Sequence, residues 1–197
     1  MTNLLNAVKS ISKSNKELPF VVYSSIHEQK LLNVPFAKPI LIVVLSGEKK
    51  LVEETEISCP AGHFVFLSDT PAMNMRNIPK NKEYTALLID FDYQDLNTHH
   101  AKTVFNRKNH HFGKVTSTLE ECLQQFIECT LWAPKSLWSH RKREIIELLC
   151  CMGHDDILSM MGSSKVGHRL HGIFCQQGFH DTTMSDLCEQ LAMSEST

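Results

Sequence analysis

The chain has 197 residues, 42% of them apolar and 21% charged, which is a soluble globular composition with enough length to bury a core. A formal net charge of −2 gives no overall pull toward nucleic acid or anionic lipid. The longest purely apolar stretch, Ile40 to Leu45, is far short of the roughly 20 residues that span a bilayer, and Met1 to Leu18 has no continuous apolar centre of a signal peptide. These features predict a cytoplasmic protein with no membrane partner.

From about Phe20 to Tyr93, β-branched runs (Ile40 to Leu45, Phe64 to Leu67, Ala86 to Phe91) alternate with turn signals at Ser46-Gly47, Pro60-Ala61-Gly62, Asp69-Thr70-Pro71 and Pro79-Lys80-Asn81. Short strands at this spacing predict an all-β barrel or sandwich over residues 1–95. Alternation makes Ile42, Val44, Phe64, Phe66 and Leu88 one possible inward set, with Met73, Met75 and Arg76 at the mouth. Such a set either fills a core or lines a ligand pocket, and Arg76 beside two Met could anchor a carboxylate.

Residues 96–115 carry two His pairs, His99-His100 and His110-His111, and read as a connecting loop, either simply solvated or pH-responsive. The period then changes to that of a helix. Leu119, Cys122, Leu123, Phe126, Ile127 and Thr130 form one stripe, and a second helix, about Ser136 to Met152, gathers Trp138, Ile145, Leu148, Leu149 and Met152 with Arg141, Lys142, Arg143 and Glu144 largely off that face. Residues 116–161 thus read as a helical hairpin. Its Trp138, Ile145, Leu149 and Met152 are candidates for a homodimer contact or for packing on the chain's own barrel.

Gly162 to Lys165, "GSSK", reads as a linker. Beyond it, Val166, Leu170, Ile173 and Phe174 make a helical stripe ending at Gly178; Thr183 caps a new helix with Asp186 at its positive end, Leu187 and Leu191 share a face, and Ser194 caps a further helix after a tight turn. That layout is a helix-turn-helix or an ordinary helical hairpin.

The text "HRLHGIFCQQGFHDTTMSDLCEQLAMSEST" resembles the opening of the DNA-binding domain of AraC/XylS-type transcription regulators, which runs through "T-x-x-x-L-A-x-x-L-x-M-S-x-S-T-L" into a recognition helix. Leu187, Leu191, Met193, Ser194, Ser196 and Thr197 stand in the matching places, with Cys188 where Ala is usual. "IVVLSGEKKL", "CPAGHFVFLSDTPAMNM" and "YTALLIDFD" are similar to the cupin-like N-terminal domain of that family. The resemblance implies an α+β protein: a cupin-like β-barrel (double-stranded β-helix) that senses a small molecule or protein effector, a dimerising helical hairpin, and over 166–197 an incomplete DNA-binding domain. On this reading the chain is a truncated regulator whose DNA contact belongs to the complete C-terminal domain, because base readout needs the missing helix.

Two other readings stand beside it. One is a stand-alone small-molecule-binding or protein-interaction cupin module. The other is a metal-dependent cupin enzyme, which needs clustered His and Glu ligands, yet His63 is the only histidine between Phe36 and Tyr93. His168, His171, Cys175 and His180 could approach one another, but a solvated helix face explains them without metal. No catalytic set emerges; no metal, no cofactor and no enzyme activity are expected. Seven cysteines, several in helical apolar stripes, read as reduced buried thiols.

Overall fold

A computed structural model describes residues 1–11, 17–36, 38–52, 55–68, 73–80, 82–92 and 110–161. The chain divides into two compact units, Met1–Met161 and Gly162–Thr197. The second lies outside the described residues, and with it the 162–165 linker, the expected DNA-binding segment, and Thr183, Asp186, Leu187, Leu191, Ser194, Ser196 and Thr197.

The first unit is α+β. Helix α1 (Thr2–Ile11) precedes strands β1 (Val21–Ser25), β2 (Gln29–Val34), β3 (Ile40–Ser46), β4 (Glu48–Val52), β5 (Glu56–Pro60), β6 (His63–Leu67), β7 (Met73–Ile78), β8 (Tyr84–Asp90) and β9 (His110–Lys114). Helices α2 (Ser117–Cys129), α3 (Trp138–Cys151) and α4 (Asp156–Met161) follow. The strands form two antiparallel sheets, ordered β1-β8-β3-β6-β9 and β2-β7-β4-β5.

The five-stranded sheet is covered on both faces, which is why β3 reads as an unbroken apolar run rather than an alternating one. Register sorts its side chains into rows. Val43 stands opposite Phe64 and Leu87, and Leu41 opposite Phe66 and Ile89; these pack against the helices. The alternate row, Ile42 with Val65 and Leu88, faces the four-stranded sheet and packs with Leu51, Met73 and Met75. One sheet therefore serves two apolar cores.

The helical layer follows the expected periodicity with three differences. Thr2–Ile11 is helical because Leu4, Val8 and Ile11, spaced i, i+4, i+7, bury against the same core as α2. Thr116 caps α2 by accepting the Leu119 amide at 3.3 Å. Residues 110–114, expected within a loop, form β9, because Phe112 joins the core between the sheets while the backbone completes the edge of β6.

The third difference concerns α3, whose buried face is Lys142, Ile145, Ile146 and Leu149. Ile145 and Leu149 are fully buried in the chain's own core and Met152 packs against it, so these three take the packing alternative, while Trp138 is half-buried. Lys142, expected off the apolar face, reaches the end of β8: its Nζ donates to the Asp90 carbonyl at 2.6 Å and to the Asp90 carboxylate at 3.0 Å. Its aliphatic stem covers apolar surface on the way. Replacing Lys142 with Ala removes the charged donor from the half-buried Asp90 and is expected to cost about 1 kcal/mol in denaturant unfolding; an unchanged midpoint would show that this tether contributes nothing.

Candidate functional site

In β4 the sequence EKKLV turns Lys49 and Leu51 inward and leaves Glu48, Lys50 and Val52 less covered. Lys49 is only 4% exposed, so an amine stands between two apolar sheets. Its neighbours across the ladder are Cys59 on β5 and Asn77 on β7. The Lys49 Nζ donates to Asn77 Oδ1 at 2.9 Å and lies 5.9 Å from the ring centroid of Tyr84, on the opposing sheet. Tyr84 is itself 1% exposed, and its hydroxyl has no hydrogen-bond partner among the described residues. The Tyr23 ring meets Tyr84 edge-on at 6.3 Å, and Tyr23 donates its hydroxyl proton to Gln29.

Burial governs the charges here. It pulls Lys49 from 10.5 down to about 8, pushes the Cys59 thiol up to about 12, and raises Tyr84 above the usual phenol range. At neutral pH the amine is consequently still cationic while the groups around it are neutral. Glu48, next in sequence, is engaged elsewhere: it accepts from Ser58 at 2.6 Å and pairs with Lys80 at 2.7 Å. The shift of Lys49 corresponds to roughly 3 kcal/mol against the charged form. Among the described residues, a buried cation with one neutral acceptor and a buried hydroxyl with none make an arrangement that an anion would complete.

The sequence-predicted effector residues divide. Ile42, Val44, Leu88, Met73 and Met75 do share the apolar interior with Leu51. Phe64 and Phe66 do not: they lie one residue out of phase, in the row that packs on the helices. Arg76 is not at a mouth. In β7 it alternates with buried Met75 and Asn77, and its guanidinium is held outside by Glu28 at 2.7 Å and Glu56 at 2.8 Å. Those carboxylates already occupy the guanidinium that an effector acid would need.

His63 stands opposite Val44, and its buried Nδ1 has no partner among the described residues. Among the described residues no group of three or more His, Cys, Asp or Glu is placed to hold a metal. A separate cleft lined by Met1, Ser117 and Glu120 is polar and contains the ion pair between the Met1 amine and Glu120. His99, His100, His168, His171, Cys175 and His180 lie outside the described residues.

The sequence matches no protein-family model and no curated protein. Solved structures do match. ToxT from Vibrio cholerae aligns over 92% of this chain and 73% of its own, with a TM-score of 0.69 and 8% identity. The chain shares its fold with ToxT, an AraC-family regulator. Another ToxT structure, bound to (E)-4-(8-methylnaphthalen-1-yl)but-3-enoic acid, gives a TM-score of 0.69 at 9% identity, with the same 92% and 73% coverage. A third, with an unsaturated fatty acid bound, gives 0.66 at 10% identity and covers 92% and 72%. Among the described residues no helix is long and apolar enough to cross a membrane.

Lys49 has a measurable signature in the ligand-free protein. An amine whose value falls on folding opposes stability while both states are protonated, and that penalty is relieved as pH rises from about 8 to 10.5. Cys59 and Tyr84, shifted upward, act in the opposite direction at alkaline pH, so the comparison must be with Lys49→Met. Over that interval the wild type should gain roughly 3 kcal/mol relative to the variant in denaturant unfolding. Parallel pH profiles would show that Lys49 carries no buried charge.

Proposed function

We propose that the chain is the effector-binding and dimerising part of an AraC-type transcription regulator, and that its effector is an acid with an apolar body bound between the two sheets. The observation that carries this reading is the buried Lys49, which among the described residues lacks an anionic partner, within an apolar interior built from Ile42, Val44, Leu51, Met73 and Met75. Lys49 would hold the carboxylate by a charge-assisted hydrogen bond, Tyr84 would donate its hydroxyl proton to the same group, and the methionines would adapt to the apolar body. The acids held by the ToxT structures, one polycyclic and one a fatty acid, support a ligand of this class.

DNA recognition on this reading belongs to the helix-turn-helix domain that 166–197 resembles, with the bound effector biasing how that domain is presented. A homodimer is part of the same proposal. With Ile145 and Leu149 internal, its contact falls to the exposed Leu131, Trp132 and Leu137 around the α2–α3 turn. The regulator reading is favoured over an enzyme because the interior gathers one cation and neutral groups, without a nucleophile–base pair or ligand cluster among the described residues.

Titration of the whole chain with oleic acid, and with oleyl alcohol as the uncharged control, tests the proposal by calorimetry. The acid should bind the wild type more tightly than the alcohol does. Lys49→Met should weaken the acid roughly 10- to 100-fold and leave the alcohol unchanged. Equal affinity of the acid for both proteins, or no binding to the wild type, would reject the acid-binding site.

A further inference from the structure

A second polar cluster lies on the other face of the five-stranded sheet, away from Lys49. His111 of β9 meets His154, the residue after Gly153 at the end of α3: the His111 Nε2 and His154 Nδ1 are 2.9 Å apart, and their rings are 5.0 Å apart and nearly perpendicular. Phe64 meets the His154 ring edge-on at 5.2 Å. Gly113 makes this approach feasible, since a Cβ there would stand 2.2 Å from the Phe64 ring and 2.9 Å from His154. Gly153, at φ +87, supplies the left-handed residue that turns the chain back from α3. The other nitrogen of His111, Nδ1, faces the Asp156 carboxylate at 4.0 Å.

The spacing is that of a hydrogen bond rather than of a shared metal. Two nitrogens each about 2.0–2.1 Å from a tetrahedral zinc would stand about 3.3 Å apart. No third ligand joins them among the described residues.

We infer that the His111–His154 pair is an acid-labile latch that fastens β9 to the α3–α4 junction. A bond between two imidazoles needs one nitrogen carrying a proton and one without. Asp156 favours Nδ1–H on the His111 side that faces it, which leaves Nε2 of His111 as the acceptor and Nδ1–H of His154 as the donor. A proton added at Nε2 of His154 leaves this bond in place and makes it charge-assisted. A proton added at Nε2 of His111 removes the acceptor, and two donors then confront each other.

Burial, followed by His154, opposes that second proton; Asp156 and Asp155 favour it, and His110 opposes it. The balance lowers His111 below the ordinary 6.5. The sign follows from this. Unfolded His111 takes its proton near 6.5 and folded His111 only at lower pH, so the latch contributes fully above 6.5 and is lost as pH falls through the folded value. The chain runs from α4 into the second compact unit, so release frees the segment that leads there. This inference does not depend on an effector.

Hydrogen exchange of the whole chain at about pH 7.5 and in steps from about pH 6.5 down to about pH 4.5, corrected for intrinsic rates, tests it. The wild type should lose protection in His110–Lys114 and Asp156–Met161 over the lower steps. The double variant His111→Gln with His154→Asn places amides where the two nitrogens stand and cannot titrate, so it should keep that protection. Undiminished protection in the wild type, or equal loss in the variant, would overturn the latch. Should the variant fail to fold, ring-nitrogen NMR of the wild type decides: an unprotonated His111 Nε2 at neutral pH, gaining its proton as protection is lost, supports the latch, and a protonated one at neutral pH overturns it.

Discussion

An ammonium group held between two apolar sheets sets the terms for this molecule. The apolar side chains around it lower their energy by leaving water, whereas Lys49 raises it, and among the described residues its one close acceptor is the neutral Asn77 amide. A methionine or leucine at this position would continue the packing of Leu51 without that penalty. The cation is intelligible if its counter-charge arrives from outside, because the ligand then regains on binding what the empty fold gives up. Tyr84, with its hydroxyl buried and unpartnered among the described residues, contributes to the same imbalance.

The sheet that carries Tyr84 also carries the contacts that could transmit occupancy. Its Ile42 and Leu88 row faces the interior with Lys49, while the adjoining Val43, Phe64 and Leu87 row faces α2 and α3. A change in packing on one face is felt on the other through a shared backbone, since close-packed layers shift rather than compress. The Lys142 tether to Asp90 and the His111–His154 pair both fasten the helical layer to this sheet. The Lys49 interior on one face and the His111–His154 pair on the other therefore both adjoin this one sheet.

Much of the architecture was legible in the sequence because local signals and tertiary environment agree. The runs at Ile40, Phe64 and Ala86 are strands, and the Leu119 stripe is a helix, each with a boundary close to its turn or cap. What was not legible depends on facing. A strand covered on both sides loses the alternation that assigns its faces, so Phe64 and Phe66 were grouped with Ile42 although register puts them on opposite sides. Arg76 looked available until Glu28 and Glu56, distant in sequence, were seen to hold it. Lys49 was hidden for a related reason: of two adjacent lysines, only the parity of one with Leu51 hints that it turns inward. Short β9 lacked a strong strand signal, since its partner β6 supplies the pairing.

Direct observation of the Lys49 charge tests the central claim most closely. Nitrogen-15 NMR of the Lys49 side chain can follow its titration with and without oleic acid in the same protein. The account predicts a value near 8 in the empty protein that moves upward when the acid binds, because an adjacent carboxylate favours the ammonium. Oleic acid that binds while the Lys49 titration stays where it was would contradict it.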